Sequence, residues 1–280
     1  MRVTIIGAGL IGGSLAIALR EKGIATSISG VEANQLHAQK ALELKLVDEI
    51  CSLEDGVVAA DLVVLAIPVN AGEKVLPAVL DLVTTQTVMD VGSTKFPICQ
   101  VIATHPKRSR FVATHPMWGT EFSGPMAAVS GAFAEKAVVI CDKEQSDADA
   151  LRVVESVYHN IGMHLLYMQA EAHDLHAAYV SHISHITSFA LANTVLEKEK
   201  EEDAIFEMAS AGFESTVRLA KSNAAMWVPI FMQNRENVLD VLNEHISQLR
   251  KFKSCLEKEN YGYLQELIEH ANKISRIIQK

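Results

Sequence analysis

The chain has 280 residues, which is enough for one large or two modest domains with a buried core. Hydrophobic residues make up 49% of it and charged residues 21%, as is typical of a soluble globular protein. Its formal net charge of −9 argues against a nucleic-acid-binding or membrane-binding surface. The N-terminus has no signal-peptide pattern, and no apolar run is long enough to span a bilayer. We therefore expect a cytoplasmic protein.

Short β-rich runs alternate with helical patterns up to residue 167, and from residue 168 to residue 280 only long helical periodicities follow. The predicted strands are 3–6, 27–31, 62–66, 87–90, 111–114, 137–140 and 164–167. The predicted helices between them are 13–22, 34–44, 71–83 and 148–160. This alternation predicts an α/β fold with a Rossmann-like, doubly wound, mainly parallel sheet in a domain of residues 1–167. An all-α domain of residues 168–280 is expected to follow it.

A glycine-rich segment, GAGLIG, directly follows the first predicted strand and opens a helix. It matches the dinucleotide-binding pattern, in which Gly7 permits the tight turn, Gly9 lets a pyrophosphate approach the backbone and Gly12 allows close helix–strand packing. Leu10 and Ile11 begin the helix whose N-terminal amides would face the phosphates. The pattern predicts a nucleotide cofactor.

The identity of that cofactor depends on the residue that ends the second predicted strand. Glu32 lies 20 residues after Gly12, where a carboxylate can accept hydrogen bonds from ribose hydroxyls and repel a 2′-phosphate. No arginine or lysine follows it directly, so we expect NAD rather than NADP. Ile67 and Pro68 end the next apolar strand and are expected to form an apolar wall of the cofactor site.

The run THPMWGTE at residues 114–121 places an imidazole, a proline and a carboxylate in a short loop after a predicted strand. A histidine beside a nicotinamide ring can take the proton of a hydroxyl group while the same carbon loses its hydride. We therefore interpret His115 as a candidate base for the oxidation of a carbinol.

The long apolar helix predicted at about 169–196 contains four histidines. At about 100° per residue, His173 and His176 would point away from His182 and His185, so we expect no metal site. A helix that is apolar on much of its circumference must be buried on several sides, which favours an intertwined homodimer. Further on, Arg218 offers the planar fork that suits a carboxylate.

Taken together, these segments resemble the prephenate/arogenate dehydrogenase family of tyrosine biosynthesis over nearly the whole chain. The segments that carry the resemblance occur in family order and read GAGLIGGS at 7–14, DVGSTK at 90–95, HPMWGTEFSG at 115–124, SHISH at 181–185 and RLAKSNAAMW at 218–227. The resemblance implies an NAD-binding domain followed by a helical dimerisation domain.

The resemblance also implies the reaction, an NAD-dependent oxidative decarboxylation of prephenate to 4-hydroxyphenylpyruvate. His115 then matches the catalytic histidine and Ser93 the serine that supports it. The residues implied to contact the substrate, with Glu121 as an acidic gate, are Thr120, Glu121, His182, His185, Arg218 and Trp227. Ser184 stands where the family often has proline, from which we expect a straighter helix.

Three alternatives stay open at this point. Arogenate differs from prephenate only in its side chain, and we favour prephenate because His185 could meet its pyruvyl carboxylate. A β-hydroxyacid dehydrogenase would need a lysine early in the long helix, and no lysine occurs between Lys143 and Lys198. A non-catalytic NAD-sensing protein would need neither the His115 segment nor Arg218.

Overall fold

A computed structural model describes residues 1–200 and 203–278 of the chain. The chain divides into two compact units, Met1–Asn234 and Arg235–Lys280. The first unit contains the predicted α/β region together with the helices that follow it as far as Asn234. The boundary after residue 167 stays a prediction.

Eight strands form one sheet in the first unit. They are β1 (Arg2–Ile6), β2 (Ser27–Val31), β3 (Glu49–Ile50), β4 (Leu62–Leu65), β5 (Thr87–Asp90), β6 (Phe111–Pro116), β7 (Ala137–Cys141) and β8 (His164–Met168). Their order is β3-β2-β1-β4-β5-β6-β7-β8, and the first six are mutually parallel. β7 runs antiparallel to β6, and β8 is parallel to β7. The predicted doubly wound, mainly parallel sheet is confirmed.

The α/β region contains six α-helices. They are α1 (Leu10–Glu21), α2 (Gln35–Glu43), α3 (Leu53–Ala59), α4 (Val69–Leu82), α5 (Phe96–Val101) and α6 (Ala148–Asn160). The two-residue β3 and the short α3 and α5 escaped prediction because they are too brief to show a period. β6 extends to Pro116, so His115 lies on the last part of a strand rather than in the loop expected there.

Two apolar clusters cover the faces of the sheet and hold its edge in place. One includes Leu15, Leu62 and Phe133, and the other includes Val63 and Leu80, each at most 2% exposed. Because β1, β4, β5 and β6 are parallel, their carboxyl ends meet at one edge, where ligands bind in folds of this kind.

After β8 the first unit is helical, with α7 (Ala170–Ala177), α8 (Ile183–Glu199), α9 (Ala211–Val217) and α10 (Ala224–Gln233). Between α7 and α8 the segment Ala178–His182 is π-helical, and the Ile183 amide donates to the Ala178 carbonyl five residues earlier. The segment expected as one helix over about 169–196 is helical from Ala170 onward, but it is not a regular α-helix at Ala178–His182. Each π-type hydrogen bond inserts a residue into a turn and changes which side chains share a face.

In the second unit, residues 235–278 form three helices, α11 (Arg235–Glu257), α12 (Tyr261–Asn272) and α13 (Ser275–Ile278). Asn260 caps α12, because its side-chain oxygen accepts a hydrogen bond from the Tyr263 amide at 3.1 Å. Across residues 1–200 and 203–278, no helix combines the length and apolar character needed to cross a bilayer.

The chain between β6 and β7 is anchored by one aromatic side chain. Phe133 is 1% exposed, and its ring meets that of Trp118 edge-on with centroids 5.5 Å apart. Replacement of Phe133 by Ala should lower the free energy of unfolding by about 3–5 kcal/mol, because the cavity left behind cannot fully collapse. Urea denaturation followed by circular dichroism measures this loss.

The matched control is Phe122, which lies in the same connection and is 66% exposed. Its replacement by Ala should change the unfolding free energy by no more than about 0.5 kcal/mol. Equal effects of the two substitutions would contradict the assignment of Phe133 as the anchor.

Candidate active site

The glycine loop after β1 has the geometry that a dinucleotide requires. Gly7 has φ +96°, and a Cβ at Gly12 would overlap the Gly7 carbonyl oxygen, so alanine does not fit there. A Cβ at Gly9 would meet nothing within 4 Å, which leaves this side of the loop open. Gly9 also begins α1 without a side-chain cap, so the first helical amides can face an anion.

The other candidate cofactor residues surround this loop. In α1, Leu10 is buried and Ile11 packs against the sheet core. The Glu32 carboxylate accepts a hydrogen bond from the Asn34 amide at 3.0 Å, directly after β2. The Ile67 side chain lies against Gly7, and the exposed Pro68 caps the start of α4. The glycine loop, the acidic Glu32 and the apolar wall of Ile67 and Pro68 thus fit a bound dinucleotide.

A buried ion pair connects the carboxyl ends of β5 and β6. The Lys95 ammonium is fully buried, pairs with the Asp90 carboxylate and donates a hydrogen bond to the Thr114 carbonyl at 2.8 Å. The Asp90 carboxylate in turn accepts from the Thr114 amide at 3.0 Å. Because each charge has a partner, the pair is tolerated away from water. It fixes the strand position directly before His115.

His115 stands at the ligand-binding edge of the sheet as a neutral imidazole. Burial lowers the pKa of His115 well below the usual range of histidine, and the charges of His173, Lys95 and His182 lower it further. The Nδ1 atom of His115 is 2.8 Å from Nε2 of His173, with ring centroids 5.0 Å apart. A neutral imidazole can accept a proton, as a general base must.

Behind His115 the hydrogen-bonded chain continues into the fold. His173 is 3% exposed, and its Nδ1 is 2.7 Å from Oδ1 of Asp174. The Asp174 carboxylate also accepts hydrogen bonds from the backbone amides of Lys95 and Phe96, at 2.7 and 2.9 Å. Asp174 therefore holds α7 against the start of α5.

Two further imidazoles and an indole form a second group. The rings of His185 and Trp227 are stacked with centroids 3.4 Å apart, and His182 meets Trp227 edge-on at 6.0 Å. Burial lowers the pKa of His182 to about 4, with the Asp174 carboxylate opposing part of the shift. Burial also lowers the pKa of His185. The Trp227 indole N–H is buried without a hydrogen-bond partner among the described residues, so this group has a donor to offer.

Arg218 and Glu121 form an ion pair, with Nη1 and Oε2 3.2 Å apart. They share an open pocket of about 320 Å³ with Ala211, Glu214, Ser215 and Lys221. The Arg218 side chain is 52% exposed and that of Glu121 is 16% exposed, so the pair adds little to stability. Beside it, the Thr120 hydroxyl accepts from the Phe122 amide at 3.3 Å.

The structure brings several of the candidate substrate residues into contact with one another. His182, His185 and Trp227 are in mutual ring contact, and Glu121 reaches Arg218. Ser93, in contrast, is half-buried and makes no hydrogen bond to His115 in the described ranges. The Nδ1 atom of His115 faces His173 instead, and the role expected of Ser93 stays a prediction.

Three residues of this network, His173, Asp174 and Asn234, were not predicted from the sequence. His173 was expected to point away from His182, yet the π-helical segment lies between them and both are buried. A histidine followed directly by an aspartate in an apolar helix was an available signal. Asn234, which donates to the Asp174 carbonyl at 2.6 Å, had none. Nowhere in 1–200 or 203–278 do three His, Cys, Asp or Glu side chains gather as metal ligands would.

Comparison with known proteins assigns the chain to a family. Residues 15–167 match the family model described as prephenate dehydrogenase, nucleotide-binding domain. Residues 169–270 match the model described as prephenate dehydrogenase, dimerization domain. The chain belongs to the prephenate dehydrogenase family. The predicted family resemblance and the predicted nucleotide-binding domain are both confirmed.

Individual members of the family are similar over almost the whole chain. Prephenate dehydrogenase of Bacillus subtilis is 30% identical over 268 residues, which are 92% of this chain and 71% of that protein. The crystal structure of Aquifex aeolicus prephenate dehydrogenase, with hydroxyphenyl propionate and NAD+, superposes with a TM-score of 0.88 at 30% identity. That match covers 100% of this chain and 98% of the other. Synechocystis arogenate dehydrogenase gives a TM-score of 0.77 at 26% identity, with 99% of each chain covered.

Proposed function

We propose that this protein catalyses the NAD-dependent oxidative decarboxylation of prephenate to 4-hydroxyphenylpyruvate. The observation that carries the proposal is the neutral His115 at the carboxyl end of β6, on the same sheet edge as the glycine loop. A base on this edge can act on a substrate held against the nicotinamide ring.

Gly7, Gly9 and Gly12 would hold the pyrophosphate against the start of α1, and Glu32 would bind the ribose hydroxyls. When bound, NAD supplies the acceptor for the hydride. The carboxylate of Glu32 disfavours the 2′-phosphate of NADP, and the NAD+ complex of the A. aeolicus relative supports the same choice.

For the substrate, His115 accepts the proton of the ring hydroxyl through Nε2 while the hydride leaves the same carbon. Loss of the ring carboxylate as CO2 then makes the ring aromatic, and the phenolate oxygen formed takes the proton back. The open Arg218 guanidinium and the group formed by His182, His185 and Trp227 would bind the two carboxylates and the ring of prephenate. Thr120 and Glu121 would contact the substrate from the opposite loop, with Glu121 as the gate.

Replacement of His115 by Asn tests the catalytic assignment. Asparagine cannot accept the proton, so kcat should fall by roughly two to four orders of magnitude while NAD affinity is retained. Stopped assays with prephenate give kcat, and titration calorimetry gives the affinity for NAD.

The control for that substitution is His159→Asn, at an exposed histidine on α6. It should behave as the unmodified protein in both measurements. Full turnover by the His115→Asn variant would refute the assignment.

Arogenate is the second candidate substrate, because one structural relative is an arogenate dehydrogenase. Initial rates measured with prephenate and arogenate, each with NAD and NADP, separate the possibilities. We expect the highest kcat/KM for prephenate with NAD. A higher kcat/KM for arogenate would make arogenate, rather than prephenate, the proposed substrate. A higher kcat/KM with NADP than with NAD would contradict the role of Glu32.

We also propose that two copies form a homodimer through the helical region, with the domain boundary near residue 167. The family model for residues 169–270 is that of a dimerization domain. Of the side chains of α8, only Ser188 is buried within the single chain. The adjoining Tyr179 and Val180 are 52% and 68% exposed. This apolar surface would be covered by the second copy.

Sedimentation equilibrium at micromolar concentration should give a particle of twice the 30.6 kDa chain mass. A mass equal to one chain at that concentration would overturn the proposed homodimer. The glycine loop and His115 belong to a single chain, so that result would leave the assignment of the reaction in place.

A further inference from the structure

The catalytic candidate His115 ends a chain of three titratable side chains that runs into the protein interior. His115 Nδ1 is 2.8 Å from His173 Nε2, and His173 Nδ1 is 2.7 Å from Asp174 Oδ1. His173 and Asp174 are only 3% and 2% exposed. Within the described residues no hydrogen bond is seen at the His115 Nε2 atom, and the His115 side chain is only half-buried. This hydrogen-bonded series of side chains therefore ends at Nε2 of His115, the atom proposed to meet the substrate.

The hydrogen-bond partners determine which nitrogen of His173 and of His115 carries the proton. The Asp174 carboxylate accepts from the amides of Lys95 and Phe96, and a carboxylate can only accept. The proton of His173 must then lie on Nδ1, facing Asp174, which leaves its Nε2 as an acceptor. The proton of His115 consequently lies on Nδ1, and its Nε2 presents a lone pair to the cleft.

Asp174 is well placed to favour a positive charge on the two imidazoles. It is held rigidly, since its carbonyl accepts from Asn234 at 2.6 Å in addition to the contacts of its carboxylate. The other charged and titratable groups around His115 act in the opposite direction: His173, Lys95 and His182 lower its pKa. The Lys95 charge is itself paired with the Asp90 carboxylate. The Asp174 carboxylate, in direct contact with His173, is the negative group placed to favour a positive charge at the inner end of this series.

The stoichiometry of the proposed reaction shows what such a chain would do. Prephenate and NAD+ give 4-hydroxyphenylpyruvate, CO2 and NADH with no net proton released. The hydroxyl proton moves to the base when the hydride leaves, and it returns to the oxygen when the C–CO2 electrons enter the ring. A buried store next to the base suits a proton that must be given back.

We propose that His173 and Asp174 are positioning residues that form a reversible proton store for His115. As His115 Nε2 takes the substrate proton, its Nδ1 proton shifts toward His173 Nε2, and the resulting imidazolium is stabilised by Asp174. When the phenolate forms, the same protons move back. This inference rests on the proposed function for the identity of the step, whereas the proton positions follow from the resting geometry.

The proton positions can be measured without any substrate. In protein labelled with 15N at histidine, the two-bond 15N–1H correlations distinguish the two neutral tautomers of each ring. The His115 signals are assigned by their loss in the His115→Asn variant. We expect the proton on Nδ1 of both His115 and His173. A proton on Nε2 of His115 would overturn the proposal, whether or not the protein turns over prephenate.

Kinetics of two variants test the store itself. In His173→Gln the amide oxygen can still accept from His115 Nδ1 but cannot take up a proton, so kcat should fall about tenfold to a hundredfold, less than for loss of the base. His176→Gln, at an exposed histidine on the same helix, is the matched control and should leave kcat unchanged. Equal kcat values for the two glutamine variants would contradict the store.

The pH dependence of kcat/KM in the Asp174→Asn variant separates an electrostatic role of Asp174 from a merely structural one. His115 must be neutral to act, so kcat/KM falls as the pH drops through the pKa of His115, which already lies below the usual range. Without the Asp174 charge the imidazolium is less stable, so this acidic fall should move to still lower pH and kcat should decrease. An unmoved profile would contradict the proposal, as would equal losses of NAD affinity and kcat. If both variants fail to fold, the 15N–1H measurement of the His115 and His173 tautomers in the unmodified protein still tests the proposal.

Discussion

The arrangement of the site depends on the contacts of one carboxylate, that of Asp174. It accepts hydrogen bonds from the two backbone amides at the start of α5 and faces Nδ1 of His173 on its own helix. A buried carboxylate is costly unless such donors surround it, so the helix and the end of β5 are held in one relative position. His173 and, through it, the ring plane of His115 are set by that position. Asn234 extends the same constraint to His182, because its side-chain amide donates to the Asp174 carbonyl and to His182 Nδ1 at 3.1 Å.

The contacts of Asp174 and Asn234 give His115 and His182 opposite tautomers. The Asn234 group that faces a carbonyl must be the N–H side of the amide, so His182 Nδ1 accepts and its proton lies on Nε2. His115 has the opposite tautomer, with its lone pair on Nε2. One ring is thereby prepared to accept a proton, and the other to donate a hydrogen bond. Burial lowers the pKa of both rings, which preserves these neutral states where an exposed histidine would titrate.

How far the sequence could lead is clear from individual residues. The glycine loop and the order of long strands could be predicted because they depend on local backbone rules and on period. His115 could be identified by its position after a strand, and Arg218 by its apolar surroundings. The partner of His115 could not, because the contact with His173 depends on how α7 packs against the start of α5, a long-range arrangement that residue spacing does not encode. Ser93 was expected in that role only because the family resemblance implied it.

The helical region from α7 to α8 is both an apolar packing element and part of a polar network. In α7, His173 and Asp174 point into the buried network, while the exposed side chains of Tyr179 and Val180 follow within the irregular segment. His182 closes that segment and is again buried, at 1% exposed. Asp174, Ala178 and His182 are buried at intervals of four residues, so they lie along one side of the helix, and the exposed Tyr179 and Val180 lie along another. The buried side carries the polar contacts, because Asn234 donates both to the Asp174 carbonyl and to His182. One amide side chain thus joins His182 to the network of His173 and Asp174, while the apolar side chains of the same helix stay available for packing.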